Sequence, residues 1–163
     1  MVEKTNLDKR ISPQYINLRD KVLDYTNYDM GLTLENDKQV YLAVFDIPVQ
    51  TSIVGFQTQS LALVFGLNTH IYLGNGSYMV GLEKHPNVMK AMQSLLISSH
   101  QAISEMKLTK THEYCDSESV RAYLKTEKGI YFKELSSEST VDKFLIGLVN
   151  LVLGEINKVE KTK

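Results

Sequence analysis

Only one of the 163 residues is a cysteine, Cys115, so no internal disulfide can form and the chain suits a reducing compartment. Charge of one sign is also missing. Eighteen basic residues stand against 19 acidic ones, leaving a formal charge of −1 and no global field to attract nucleic acid or an anionic membrane. Any charged partner must be met by a local patch. No apolar run reaches the roughly 20 residues that a membrane-spanning helix needs, and the most apolar late segment, Phe144–Leu153, is interrupted by Asn150. Met1–Arg10 is polar and mixed in charge, without the apolar stretch of a signal peptide. Internal repeats, low-complexity tracts and the Gly-x-Ser-x-Gly elbow of many hydrolases are absent as well. These absences lead to the expectation of one cytoplasmic domain over residues 1–163, frayed at 1–10 and 159–163. A chain of this length buries roughly two thirds of its unfolded surface, without a metal or disulfide to hold it.

What is present is a set of strands apolar on both faces. Val40–Ile47 alternates Tyr41, Ala43, Phe45 and Ile47 with Val40, Leu42 and Val44, and polarity returns only at Asp46. Leu61–Leu67 repeats the pattern, which predicts a sheet covered above and below. Pro48 is expected to close or bend the first strand, and Gln50–Gln59, with Ile53, Val54 and Phe56, reads as a short strand. Gly74-Asn75-Gly76-Ser77 predicts a type I′ hairpin that sets Leu73 opposite Tyr78, Ile71 opposite Val80, Tyr72 opposite Met79 and His70 opposite Gly81. A second hairpin is expected around Glu127-Lys128-Gly129, with Thr126 facing Ile130 and Leu124 facing Phe132 on a core side. Arg121, Tyr123, Lys125, Tyr131 and Lys133 then share a wet side.

Three helices frame these strands. Ser12-Pro13 is a cap followed by a first-turn proline, Ile11 and Ile16 are spaced as a staple, and Tyr15, Leu18, Val22 and Tyr25 recur at helical spacing over 13–27. Gly31 marks the expected exit, and Asn36-Asp37 suits a turn before the sheet. Pro86 begins a helix to about 106, with Val88, Met92, Leu95, Leu96, Ile103 and Met106 on one stripe. The last helix is predicted over 140–158, after a capping box of Ser139 and Asp142. Phe144, Leu145, Leu148, Leu151, Val152 and Ile156 form its main stripe, while Ile146, Val149 and Leu153 carry apolarity further round the cylinder. A helix of this kind is either sandwiched within the fold or shared with a second subunit.

Chemistry-bearing residues do not assemble into a motif. His112-Glu113-Tyr114-Cys115-Asp116 is the densest cluster, but His112 and Cys115 make one ligand pair where a structural zinc site normally has two, so no metal or other cofactor is expected. As a catalytic pair, Cys115 has no oxyanion-forming element beside it, and Asp116 opposes its thiolate. The Gly74–Ser77 turn lies between strands, without the helix N-terminus of a phosphate loop. Arg121, Tyr123, Lys125, Tyr131 and Lys133 resemble in kind a face that stacks single-stranded nucleic acid, but Glu118, Glu127 and Glu134 dilute its field. His70 and Tyr72 are expected to pack against a covering helix with their polar tips hydrogen-bonded; the alternative is a small-ligand pocket lined by His70, Tyr72, Met79 and Gly81, with glycine leaving room beside the imidazole.

The expected architecture is α+β: a central antiparallel sheet of five to seven strands with three helices, in the order α-β-β-β-β-α-β-β-α. That order resembles profilin-like, PAS-like and roadblock-type domains, a resemblance of element order alone, which implies sensing, scaffolding or dimerisation. The function expected is a non-catalytic interaction or regulatory domain, a homo-oligomer, most simply a dimer, with a protein partner and no membrane association. The alternative is a small enzyme or ligand-binding protein using the His70–Tyr72 face.

Overall fold

The computed structural model describes residues 11–51, 55–65, 68–115 and 117–161, with the side chains of 49–51, 55–57, 160 and 161 excepted. Among the described residues three α-helices, α1 (Pro13–Leu23), α2 (Pro86–Ser98) and α3 (Thr140–Lys161), surround seven strands. The strands are β1 (Leu42–Thr51), β2 (Gly55–Val64), β3 (Asn68–Leu73), β4 (Tyr78–Met79), β5 (Lys107–Thr109), β6 (Arg121–Thr126) and β7 (Gly129–Glu134). They form one antiparallel sheet in the order β4-β3-β2-β1-β6-β7-β5, the expected α+β arrangement with the three-residue β5 added. Both outermost strands are very short, which leaves little edge open to pairing with another chain.

Two-sided burial follows from the two apolar sets of β1 and β2. Ala43, Phe45, Leu61 and Leu63 pack with α2 and α3 in one core, while Leu42, Val44, Ala62 and Val64 pack with Tyr15, Val22 and Leu23 of α1 in a second. Pro48 does not end β1. It pairs with Thr58, whose carbonyl accepts from Gly74 on the β3 side at 2.8 Å, so Pro48 sits at a pair that needs no N–H toward β2. The β6 ladder has already stopped at Asp46 and Arg121. Thr51 and Gly55 are the last pair, and Ile53 and Val54 of the expected short strand lie outside the described residues.

Both hairpins depart by one residue from the register expected of them. Leu73 N–H donates to Ser77, giving a three-residue loop in which only Gly76 has a positive φ, +97°, and Asn75 Oδ1 accepts from Ser77 N. Tyr72 therefore faces Tyr78, and Ile71 faces Met79. The turn docks on the start of α1: Ser12 N–H donates to Gly74 O at 2.7 Å, and a Cβ at Gly76 would lie 3.0 Å from Ser12 Oγ. At the other hairpin Thr126 pairs with Gly129, whose φ is +127°, so Leu124 meets Tyr131 and Tyr123 meets Phe132. A one-residue slip exchanges faces for every partner. The side expected to be wet is covered by α1, and Arg121, Tyr123 and Lys125 are buried there.

Helix α1 is shorter than expected, ending at Leu23, because Lys125 Nζ donates to the carbonyls of Leu23 and Tyr25 and closes its C-terminus. Gly31 instead turns the connection that follows, at φ +63°. Helix α2 passes into a 3-10 segment, Ser99–Glu105, close to the expected limit. At α3, Ser139 Oγ accepts from Asp142 N, as a capping box requires, but the Asp142 carboxylate accepts from Ser136 N and Lys133 Nζ. The helix continues to Lys161, past the end foreseen for it.

Candidate functional site

Of the four residues named for the alternative pocket, the structure brings together two. His70 and Tyr72 stand two apart on the α1 side of β3, their rings 5.9 Å apart. Met79 packs in the core on the opposite face, opposite Ile71, and Gly81 lies beyond the strand at φ +73°, before a 3-10 turn over Leu82–Lys84. The register slip is what separates them. Burial lowers the His70 pKa, against a smaller opposing pull from Glu83, and its buried Nδ1 has no hydrogen-bond partner among the described residues. His112 turns toward α1, its Nε2 2.8 Å from Asp24 Oδ1, while Cys115 is exposed. Among the described residues no three His, Cys, Asp or Glu side chains converge as a metal site. The five-residue basic and aromatic face is divided by the β6–β7 register: Arg121, Tyr123 and Lys125 lie under α1, whereas Tyr131 packs against the other core and Lys133 reaches Asp142.

Polar chemistry concentrates instead in the interface between α1 and the sheet. Tyr15, Arg19, Val22 and Leu23 face inward at helical spacing, so a guanidinium enters an otherwise apolar face. Arg19 Nε donates to both oxygens of Asp46 at 3.0 Å, and its Nη2 sits 2.8 Å from Oδ2, an ion pair not aligned as a hydrogen bond. Its Nη1 donates to Asp20 Oδ1 at 2.6 Å and to the His112 carbonyl at 2.7 Å, tying the segment before β6 to α1. Ser60 Oγ donates to Asp46 Oδ1 at 2.6 Å, and Tyr15 Oη lies 2.6 Å from Ser60 Oγ. Arg19, Asp46 and Ser60 have no exposed surface.

The electrostatics suit holding rather than reacting. Burial pulls the Arg19 pKa down, but Asp46 more than offsets this and the net shift is upward, so the guanidinium stays charged. Burial, reinforced by Asp46, raises Tyr15, and the same two causes push Tyr123 up to about 12. Tyr123 and Tyr114 flank the Arg19 guanidinium, with ring centroids 4.9 and 5.7 Å from Cζ. Arg121, opposite Asp46 in the ladder, is also fully buried, yet among the described residues its Nε, Nη1 and Nη2 have no hydrogen-bond partner, and its Cζ lies 5.1 Å from the Tyr114 ring. A cation–π contact contributes about 2 kcal/mol when desolvated, against several kcal/mol for burying an ion.

Sequence reasoning passed over Arg19, Asp46 and Ser60. The signals were present: Arg19 is four residues after Tyr15 and three before Val22, and Asp46 is the single charge within a strand apolar on both sides. A charge at such a position is buried and must be paired.

On the opposite side of the molecule, α3 shows solvent a second feature. Leu145, Val149, Val152 and Ile156 face the core, so Phe144 and Leu151 of the expected main stripe instead point outward, 41% and 52% exposed. Gly147 and Gly154 fall on that same outer line, and a Cβ at either would meet nothing within 4 Å.

A scan against protein-family models finds no match to this chain, and searches of the curated proteins and of the solved structures find none either. The likeness to profilin-like, PAS-like and roadblock-type domains therefore rests on the order of elements alone.

Proposed function

We propose that this chain is a non-catalytic, cytoplasmic interaction domain that pairs with a second copy of itself through the outer line of α3. The observation that carries the proposal is the spacing of Phe144, Gly147, Leu151 and Gly154, at i, i+3, i+7 and i+10 on an exposed helix face. Two copies packed antiparallel about Leu151 set Leu151 on Leu151 and Phe144 on the aliphatic stem of Lys158, and bring Gly147 to within one residue of the level of Gly154, so one stripe serves both subunits. Glycine in a helix interior costs about 1 kcal/mol relative to alanine, and the open space around both glycines means that packing within one subunit does not require them. At a helix crossing their lack of a Cβ lets the axes approach. A single helix pair buries less than the roughly 1,000 Å² of a stable interface, so the dimer is expected to be weak and concentration-dependent.

Size-exclusion chromatography with light scattering tests this. The full chain is expected to shift from monomer to dimer as concentration rises, and Leu151→Asp to remain monomeric with an unchanged circular dichroism spectrum. Gly147→Ala with Gly154→Ala is expected to raise subunit stability by about 1–2 kcal/mol while weakening the dimer. A strict monomer at high concentration ends the proposal, and a dimer untouched by Leu151→Asp removes α3 as its interface.

A further inference from the structure

Asn75 is the one asparagine in the chain that precedes a glycine. A glycine nitrogen has no side chain beside it to hinder its approach to the amide carbon of the preceding asparagine, so this pair can close on itself as a cyclic imide, a succinimide. In the β3–β4 turn the two halves of that reaction are held differently. Asn75 is exposed, and its Oδ1 accepts from Ser77 N at 2.8 Å, which sets a donor on the oxygen where negative charge collects as the ring closes. Gly76 is buried, and its N–H donates to Leu73 O at 2.8 Å. Attack requires that nitrogen to give up its proton, which a backbone carbonyl does not take. The turn is also kept closed by its neighbours: Leu73 N–H donates to Ser77 O and Gly74 N–H to Thr58 O, both at 2.8 Å, and Ser12 N–H at the start of α1 donates to Gly74 O at 2.7 Å.

We propose that Asn75 is a modification site, deamidated by its own backbone at a rate set by how often this turn lifts from α1. Once the turn lifts, solvent hydroxide removes the Gly76 amide proton, the nitrogen bonds to Asn75 Cγ, and the Cγ–Nδ2 bond breaks. The amide nitrogen takes a proton from water and leaves as ammonia. Water then opens the succinimide, so that one water is consumed for each ammonia released and nothing is oxidised or reduced. Opening at Cγ leaves aspartate, whose carboxylate still accepts from Ser77 N. Opening at the backbone carbonyl leaves isoaspartate, in which the main chain runs through the side-chain methylene. That added main-chain atom lengthens a three-residue loop whose ends are fixed by Leu73 and Ser77, and it displaces Gly74 from Thr58 and Ser12. The seat of α1 on the turn is then loosened, and the chain carries a covalent record of how long the turn has stood open.

The full chain is incubated in mildly alkaline buffer with and without denaturing guanidinium chloride. The peptide holding residue 75 is followed by mass spectrometry for amide-to-acid conversion, and isoaspartate is counted by enzymatic methylation. In denaturant, Asn75 is expected to convert faster than any other asparagine of the chain. In the native chain its conversion is expected to be slower by about tenfold or more, which corresponds to about 1.4 kcal/mol or more for opening the turn. Hydrogen exchange of Gly76 N–H in the native chain reports the same opening and should be slowed by a similar factor. A Cβ at Gly74 would lie 2.9 Å from Thr58 Cγ2 and 3.1 Å from Thr58 O, so Gly74→Ala is expected to loosen the turn and raise the native rate. The comparison of conversion with exchange in wild type holds even if that variant fails to fold. Equal conversion with and without denaturant, no conversion at Asn75 in either, a native rate untouched by Gly74→Ala, or a Gly76 N–H that exchanges without protection would each overturn the proposal.

Discussion

At the scale of the residue, the Arg19–Asp46 pair is held by its surroundings as much as by its own attraction. Ser60 and Tyr15 extend the hydrogen bonding from the carboxylate, and the rings of Tyr123 and Tyr114 lie beside the guanidinium. Removing one partner leaves the other charged and dry, so Asp46→Ala is expected to lose about 3–5 kcal/mol in urea unfolding. The double substitution Arg19→Met/Asp46→Leu removes both charges together and should recover most of that loss. If the single and double variants unfold alike, the penalty comes from lost packing and not from an orphaned charge. These residues were within reach of the sequence as a pattern, since Asp46 interrupts a doubly apolar strand. That Arg19 is its partner was not, because 27 positions separate them and only the docking of α1 joins them.

At the scale of the element, one side chain decides where α1 stops and how it sits. Lys125 Nζ lies 2.7 Å from the Leu23 carbonyl and 2.6 Å from that of Tyr25, placing a cation at the negative end of the helix. Lys125→Met keeps the aliphatic stem and deletes both charge-assisted bonds. The expected loss is about 2 kcal/mol, with hydrogen-exchange protection falling most in the last turn of α1. Equal loss of protection across β1 and β2 would show that Lys125 acts on the whole fold. The two hairpins teach a related lesson. Glycines at 74, 76 and 129 marked both turns correctly, but turn composition alone left the register one residue uncertain in each. Contact with Ser12 selects the loop around Asn75, and Thr126 Oγ1, accepting from Lys128 N, stabilises the shorter loop at 127–128.

At the scale of the whole molecule, tyrosines are spread through the core on the α1 side, and alkaline pH tests that core as a unit. Burial pushes Tyr72 up to about 12, with Tyr25 adding to it; burial and Asp46 do the same for Tyr123, and Tyr15 is raised as well. In the unfolded chain each phenol titrates near 10. Because the folded pKa is the higher, the folded state holds these protons more tightly. Their contribution is complete below about pH 10 and is lost as pH climbs through about 12, at roughly 2 kcal/mol for each tyrosine. Unfolding followed by phenolate absorbance should therefore begin above pH 10 and run as one cooperative step. Stability unchanged to pH 12 would mean that these rings are more hydrated than their burial implies.

Alternation of apolar residues by itself determined that β1 and β2 are covered on both faces, because a two-residue period has no solvent side when both phases are apolar. It likewise determined the places of the helices, since caps and periodicity act within a few residues of chain. The tertiary structure alone decided which face each hairpin residue occupies, that Arg121, Tyr123 and Lys125 lie beneath α1, and that Phe144 and Leu151 are left outside. Those outcomes depend on contacts between distant segments, where a shift of one residue in a strand, or about 100° around a helix, exchanges buried for exposed.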